Sequence, residues 1–524
     1  MSFENAIREI IHELLKGENF QRAARKICKK YKLPRFPKKA EILSFCNAEE
    51  KEKLRAILLK RPVRSISGVL TITVAVKPKE CAWGKCIYCP TKENASKSYM
   101  GTEPVIQRAL QSNYDPYLQV RNRIEHYRAM GHLSENGNKF EVIVVGSTFT
   151  GFEDEYQEWF IKKIFDALNE REAKSLEEAH KLNESAKHRC VGLSVETRPD
   201  YCREEHVDRM LRLGITRVEI GAQSIYDDVL EFVQRGHSVE DIIKAIRIAK
   251  DAGYKIVLHV MPGLPLSSFK RDLNMFKTLF QDPNFMPDEL KIYPTMVVEG
   301  TKLYEMWKKG GYRAMSDEEV VKLLVEVKKL IPPFMRIRRI LRDYSLKKVI
   351  AGPKIGHLRD ILQLELKKMG KRCRCTRCRE VGHAKRLFGI EPKIENIRLV
   401  RREYEASNGK EIFLSFEDIE QDILIAFLRL RIPSEKAHRK EIREVPSAIV
   451  REIHTYGKAV PVGKTPEREW QHRGYGRELL KEAERIAKEE FDRKKILVIA
   501  GIGARPYFLA QGYKHDGPYV SKIL

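Results

Sequence analysis

From residue 69 to residue 295 the chain repeats one pattern: a short continuous apolar run, then a longer stretch with apolar residues every three or four positions. The runs are VLTITVAV (69–76), FEVIVVG (140–146), CVGLSVE (190–196), RVEIGAQ (217–223), KIVLHVMPG (255–263) and ELKIYPT (289–295). Continuous runs of this kind suit strands covered on both faces, as in a parallel sheet. The stretches between them read as amphipathic helices. SVEDIIKAIRIAKDAG (238–253) opens on a Ser238 cap with Glu240 close behind and stops at Gly253. Six strand–helix units predict an α/β fold with a parallel sheet or barrel. Active groups then collect at the C-terminal strand ends. GSTFT (146–150), ETRPD (196–200), AQS (222–224), MPGLP (261–265) and YPT (293–295) all fall there.

Outside this block the pattern changes. MSFENAIREIIHELLKG at the N-terminus places Ile7, Ile10, Ile11 and Leu14 on one helical face. KRCRCTRCREVGH (371–383) interrupts the alternation, and a second α/β segment begins after about residue 395. Its strands are EIFLSFE (411–417), ILIAFLRLRI (423–432), SAIVREIHTYG (447–457) and the start of ILVIAGIGARPYF (496–508). A helix, QHRGYGRELLKEAERIAKEE (471–490), lies between the last two. The expected organisation is a basic helical region (1–60), a parallel α/β domain (61–370), a cysteine-rich linker (371–394) and a C-terminal domain (395–524).

Charge narrows the partners. Lys plus Arg number 98 against 73 Asp plus Glu, a net charge of +25 over 524 residues. Such a chain is suited to polyanions, nucleic acid first among them. The excess starts early: residues 19–39 hold nine Lys or Arg and no acid, and RPVRS (61–65) continues it. No signal-type apolar block and no run of membrane-span length is present, which points to a cytoplasmic protein with no membrane association. Its ten cysteines are then expected as thiols or metal ligands rather than bridges. Cys28 and Cys46 read as ordinary buried residues.

ECAWGKCIYCP (80–90) follows the first strand and puts Cys81, Cys86 and Cys89 in one loop. Thiolates suit zinc or an iron–sulfur cluster. A closed zinc site takes four ligands. Three thiolates on a 4Fe–4S cubane leave one iron open, where a small molecule with an amine and a carboxylate can chelate. That is the logic of radical S-adenosylmethionine (SAM) enzymes. Their usual spacing is CxxxCxxC and here it is CxxxxCxxC, so the loop by itself leaves a zinc knuckle open. Its place after strand one of a six-unit sheet favours the cluster. In that frame Gly146 and Ser147 would hold the amino group of SAM, Glu196 its ribose, and Gln223 and Ser224 would line the same mouth. His259, in an apolar strand, reads equally as a core histidine or a catalytic one. Cys373, Cys375 and Cys378 read as zinc ligands, with His383, Cys190 or Cys202 as candidates for the fourth.

In the C-terminal segment, Gly474 and Gly476 of QHRGYG let backbone N–H groups approach a phosphate at a helix N-terminus. Arg473 and Arg477 add positive charge. The pattern is that of the pyrophosphate cradle of GNAT acetyltransferases, in which two splayed strands hold the pantetheine arm of acetyl-CoA. Tyr507, at the start of the next helix, is placed to reach the thioester or its sulfur.

A radical SAM loop and a GNAT cradle in one chain are a rare pairing. With YMGTEPVIQRALQSNYDPYLQVRNR, GLSVETRPDYC, HVMPGLP, LKIYPTMVVEGTKLYEMW, FEDIEQDILIAFLRLR and GYKHDGPYV, the chain resembles the Elongator catalytic subunit family of tRNA uridine acetyltransferases over nearly all its length after residue 60. The resemblance implies a partial (β/α)6 radical SAM barrel joined to a GNAT domain, and modification of carbon 5 of the wobble uridine in the tRNA anticodon stem-loop. Acetyl-CoA would supply the acyl group. Reductive cleavage of SAM would generate the radical that takes hydrogen from the acetyl methyl, and the carbon radical would add to the uracil. It implies Cys81, Cys86 and Cys89 as cluster ligands. For acetyl-CoA it implies Glu452, Ile453, His454, Thr455, Gly474, Tyr475, Gly476 and Tyr507, with Lys139 contacting it from the barrel side. Lys291 and Tyr293 join Tyr507 as candidates at the reacting groups. An electron donor is required, and a homodimer is left open. The competing expectation is a protein lysine N-acetyltransferase with a structural iron–sulfur domain.

Overall fold

The computed structural model describes residues 2–59, 68–81, 84–134, 137–457, 470 and 473–524. RPVRS (61–65) and the first two residues of QHRGYG, Gln471 and His472, lie outside them.

The six apolar runs form β1 (Val69–Ala75), β2 (Asn138–Val145), β3 (His188–Thr197), β4 (Arg217–Gln223), β5 (Lys255–Val260) and β6 (Glu289–Ile292). A short ladder, β7 (Val297–Val298) with β9 (Val349–Ala351), stands apart. Between its strands lies β8 (Arg336–Ile340), a seventh parallel member of the main sheet. The order is β1-β2-β3-β4-β5-β6-β8, every neighbour parallel, with β1 and β8 as the two edges of a curled half-barrel. β8 carries the sequence RIRRI, so its arginines hide the apolar run by which the other strands were legible.

Helices cover the outer face. That of Val239–Asp251 starts at the Ser238 cap, whose side chain accepts from Asp241 N, and buries Ile242, Ala245, Ile246 and Ala249 against the sheet. The inner face is different. At the N-terminal strand ends it carries Glu141, Arg217, Lys255, Glu289 and Arg338. Arg338 donates to Glu141 at 2.9 Å and to Glu289 at 3.2 Å, and Arg217 also pairs with both acids. A closed barrel fills this space with stacked apolar side chains; here ion pairs line an open interior.

At the N-terminus the helix Ser2–Leu15 buries Ile7, Ile10, Ile11 and Leu14 as its periodicity demands. It packs on the helix Phe20–Lys30, which buries Ala23, Ala24, Ile27 and Cys28 and turns Arg22, Arg25, Lys26 and Lys29 outward.

The C-terminal sheet comprises β10 (Ile397–Ala406), β11 (Gly409–Asp418), β12 (Ile423–Ile432), β13 (Ser447–Thr455), β14 (Lys495–Val498), β15 (Lys514–Asp516) and β16 (Tyr519–Ile523), in the order β10-β11-β12-β13-β14-β16-β15. β13 and β14 run parallel and pair only from Ser447 to Val450. Beyond Val450, β13 continues to Thr455 paired only with β12, so β13 and β14 splay. β13 also bulges at Arg451, because Arg429 faces Glu452 while Leu430 faces Val450.

This sheet docks against the N-terminal ends of the half-barrel strands. Arg431 donates to Asp251 at 2.6 and 3.0 Å, and the Tyr519 hydroxyl donates to Ala252 O at 2.9 Å. The contact is close enough to require glycine at 501, where a Cβ would lie 2.3 Å from the Val191 carbonyl oxygen.

Candidate functional site

Cys81, Cys86 and Cys89 lie at the C-terminal mouth of the half-barrel. They line a cavity of about 370 Å³ together with Ser147, Glu196, Gln223, His259, Lys291 and Tyr293. The strand ends bring these together across more than two hundred positions of sequence. The three Sγ atoms do not all fall within 4.8 Å of one another, whereas those of Cys373, Cys375 and Cys378 do. Thiolates about 2.3 Å from one zinc sit about 3.8 Å apart, so the second trio fits a single ion. The wider spacing of the first suits a cluster whose corner irons each take one thiolate. Burial pushes the Cys81 thiol up, and the neighbouring Cys89 and Cys86 add to it.

The groups assigned to SAM adopt constrained backbone. Gly146 has φ +97° and its N–H donates to Glu196 Oε2 at 3.1 Å; a Cβ there would lie 2.5 Å from Ser96 Cβ. Ser147 and Gln223 hold φ of 82° and 69°, a left-handed conformation that side chains adopt at a cost, typically at functional sites.

Deeper in the chamber, Glu219 accepts from both His259 Nε2, at 3.0 Å, and Lys291 Nζ. Burial alone would raise the Glu219 carboxyl, but Lys291 and His259 hold it well below the usual range. Burial and the Lys291 cation push His259 down. Burial would lower Lys291, but Glu219, with Tyr293 and Glu196, raises it. The set therefore rests as carboxylate, ammonium and neutral imidazole. His259 is thus a polar member of the chamber wall, and its ring meets Tyr293 edge to face at 5.5 Å between centroids.

At the opposite end of the half-barrel a second cavity, of about 640 Å³, opens where β13 and β14 splay. Arg451, Glu452, Ile453 and His454 of β13, Val498–Gly501 at the end of β14 and just beyond it, and the ionic layer of Glu141, Arg217, Lys255 and Glu289 line it. Four of the residues assigned to acetyl-CoA converge beside it: a Cβ on Gly476 would lie 3.1 Å from the Tyr507 hydroxyl, 3.7 Å from Thr455 Oγ1 and 3.9 Å from Ile453 Cδ1. Gly474, at φ +91°, starts the helix Tyr475–Arg485 in a left-handed conformation. Glu452 and His454 point the other way, into the half-barrel. Glu452 binds Lys255 and, at 3.0 Å, Arg429, so its carboxylate is engaged in joining the two sheets. His454 packs on Tyr456 at 4.3 Å, and burial lowers it to about 4. Lys139, the second residue of β2, lies at this same end, in register with Val69 and Arg189; burial and the Arg189 cation lower it.

The two cavities adjoin. Thr73 of β1 and Arg123 of the neighbouring helix Pro116–Ala129 line both. Arg123 stacks over Tyr127, 4.2 Å from the ring centroid, and donates to its hydroxyl at 3.0 Å.

Cys373, Cys375 and Cys378 are buried together, with Lys328 Nζ at 3.9 Å and Gln363 Nε2 at 3.1 Å from Cys378 Sγ. No histidine or further cysteine joins them among the described residues. His383 turns to Glu380 at 3.3 Å and lines the larger cavity instead. Cys190 and Cys202 are buried in the core of the half-barrel domain.

The same combination recurs in known proteins. Residues 79–276 match the family model of the Radical SAM superfamily, residues 287–368 that of the Radical SAM C-terminal domain, and residues 3–66 that of the ELP3 N-terminal domain. A tRNA uridine(34) acetyltransferase of Methanocaldococcus infernus is 51% identical over 93% of this chain and 92% of its own. The chain belongs to the Elongator complex protein 3 family. The Schizosaccharomyces pombe Elongator complex protein 3 is 42% identical over 99% of this chain and 98% of its own. The solved structure of M. infernus Elp3 with its N-terminus (1–46) deleted superimposes with a TM-score of 0.78 at 49% identity, covering 88% of this chain and all of that one. The family places a radical SAM domain on the curled sheet, and the C-terminal sheet is acetyltransferase-like in its splayed strands.

Sequence reasoning missed Thr73, Arg123, Glu219, Arg235 and Arg342, all of which line the chamber. For Glu219 a signal existed. Arg217, Glu219, Gly221 and Gln223 alternate along RVEIGAQ, a period that puts them on one face, and charged residues on a buried strand need partners.

Proposed function

We propose that this chain modifies tRNA, using acetyl-CoA and radical SAM chemistry to place an acetyl-derived carboxymethyl group on carbon 5 of the wobble uridine. The observation that carries this reading is the adjoining pair of cavities, one at the cysteine loop and one at the splayed strands, meeting at Thr73 and Arg123. The names of the relatives agree with the substrate.

In this reading Cys81, Cys86 and Cys89 would hold a 4Fe–4S cluster, and Gly146, Ser147, Glu196 and Gln223 would seat SAM beside it. When bound, these supply an organic radical at the open end of the half-barrel. The chain's own groups do the rest. Gly474–Gly476 present backbone N–H groups to the pyrophosphate of acetyl-CoA, and the unpaired edge of β13 over Ile453–Thr455 takes its pantetheine arm. Tyr507 lies beside that edge to protonate the departing sulfur. Lys291, held charged by Glu219, faces the chamber with Tyr293, where a donor to a uracil carbonyl is needed. The outward face of Arg22, Arg25, Lys26 and Lys29 gives the anticodon stem-loop a basic surface. A lysine acetyltransferase would present its thioester to an open peptide groove; here the splay opens into the half-barrel.

The test is anaerobic incubation of the reconstituted chain with reductant, SAM, acetyl-CoA and tRNA, followed by nucleoside mass spectrometry. The expected outcome is a mass gain on the wobble uridine that Cys86→Ala abolishes. Acetylation of lysine peptides without SAM, and no change in the tRNA, would overturn the reading.

A further inference from the structure

Nine cations line or border the radical chamber, and four of them pair with a neighbouring carboxylate. Lys97 pairs with Glu80, Arg198 with Asp200, Lys291 with Glu219 and Arg339 with Asp343. Two guanidinium groups differ. Arg235 is 9% exposed. Its Nη2 donates to Gly221 O at 2.7 Å, its Nη1 lies 3.9 Å from Cys86 Sγ, and its buried Nε has no partner among the described residues. Arg342 donates through Nη1 to Ser98 O at 2.8 Å and to the Tyr344 hydroxyl at 2.9 Å, and its Nε is likewise buried without a partner. Neither forms an ion pair with a carboxylate among the described residues. The carboxylates of the chamber wall are engaged elsewhere: Glu103 by the Met100 N–H, Glu196 by Gly146 and Lys291, Glu219 by His259 and Lys291, and Asp343 by Arg339.

Both arginines are built into place beside a thiolate. The loop that carries Arg235 also accepts the Ile87 N–H through Val233 O at 3.2 Å, which fixes it against the cysteine loop. A Cβ on residue 221 would lie 2.7 Å from Arg235 Nη2, so Gly221 leaves the room it occupies. Arg342 meets Cys89 through Ser98, whose Oγ is 3.6 Å from Cys89 Sγ, and shares a small pocket with Tyr88, Cys89 and Pro90. Its guanidinium lies over the rings of Tyr293 and Tyr344, at 5.0 and 5.5 Å.

A buried cation without a carboxylate is costly unless another negative group compensates it. The groups facing these two that become negative on binding a cluster are the sulfurs of Cys86 and Cys89. We propose that Arg235 and Arg342 are the charge partners of the cluster held by the cysteine loop, one at each of two thiolates, and that they set its reduction potential. The inference rests on the reading of Cys81, Cys86 and Cys89 as cluster ligands. Taking up one electron adds one negative charge to the cluster, and two fixed cations within its first layer favour that reduced form. The peptide carbonyls that hold each guanidinium keep it from turning to solvent.

The experiment is an anaerobic redox titration of the full, reconstituted chain without SAM or tRNA, with titanium(III) citrate as reductant. The reduced fraction is read by electron paramagnetic resonance and by bleaching of the visible absorption, after iron and sulfide content has been measured. Arg235→Met and Arg342→Met should each lower the reduced-to-oxidised ratio at a fixed potential about tenfold, equivalent to about 59 mV toward more negative potential for one electron. Arg235→Lys and Arg342→Lys should stay within about twofold of the parent, because charge rather than shape carries the effect. If a Met variant loads no iron while its Lys counterpart does, the need for the charge is shown at assembly. The proposal is overturned if Met variants load fully with an unchanged ratio, if Lys and Met shift it alike, or if no variant at either position loads iron. The titration does not involve tRNA, so an unchanged potential would leave the proposed uridine chemistry standing, and absence of tRNA modification would leave this inference standing.

Discussion

Arg451, the bulged residue of β13, grips Asp288 of the half-barrel domain through two hydrogen bonds of 2.6 and 2.8 Å, and both side chains are fully buried. Burial alone would raise Asp288, but Arg451 and Lys250 hold it well below the usual carboxylate range. Removing one partner strands the other charge in the interdomain contact, at a cost of about 3–5 kcal/mol. Asp288→Asn is expected to lower the unfolding free energy, measured by denaturant titration, by that amount and to split unfolding into two transitions. A depressed carboxyl contributes stability that is complete above its unfolded value and lost as pH falls below about 4. The parent and Asp288→Asn should therefore converge in acid; a gap that persists at low pH would sink this account.

Tyr507 and Gly476 make a second relationship that kinetics can read. Because the hydroxyl stands beside the Gly476 Cα, Tyr507→Phe removes a donor without emptying space. Acetyl-CoA affinity should stay within about twofold while turnover falls by about two orders of magnitude. Gly476→Val should instead weaken acetyl-CoA binding directly, read by calorimetry.

Thr73 and Arg123 stand where the two cavities meet. Thr73→Phe places a ring in that neck. SAM cleavage and acetyl-CoA binding, measured separately, should survive, while the modified uridine disappears. Full product formation by this variant would mean the acetyl group travels another way.

Three buried imidazoles make the fold sensitive to mild acid. Burial lowers His180 to about 3, His237 to about 2 and His454 to about 4. The unfolded chain binds these protons near pH 6.5 and the folded chain does not. Stability is complete above pH 6.5 and lost as pH falls toward the folded values, by about 2 kcal/mol for each imidazole by pH 5. The Tm of the parent should drop over this interval, and His454→Gln should flatten the curve. Equal slopes in the two proteins would refute the assignment.

Cys373, Cys375 and Cys378 are expected to hold one zinc in addition to the iron of the cysteine loop. Elemental analysis of Cys375→Ser should show the zinc lost, the iron retained and the Tm reduced. A parent chain that carries no zinc would instead leave Lys328 as the partner of the buried thiolates.

Much of the architecture was legible because it is written in short-range periodicity. Continuous apolar runs marked β1 to β6, and β12 begins and ends where ILIAFLRLRI does. The Ser238 cap and the two clusters of cysteines were equally local. Strands poor in buried apolar residues escaped: β8 reads as RIRRI with charged inward side chains, and β10 exposes Leu399, Arg401, Glu403 and Glu405. Strand patterns are recognised by burial of apolar groups, and β8 instead carries charges whose partners come from distant segments.

The sequence by itself therefore determined the order of β1 to β6 and marked the cysteine loop and the QHRGYG turn as candidate sites. Only the tertiary structure decided that the half-barrel is lined by ions, that its two ends open into adjoining cavities, and that Arg235 meets Cys86 across 149 positions. Backbone geometry acts within a few residues, whereas charge compensation and cavity shape arise from the side chains that folding brings to one place.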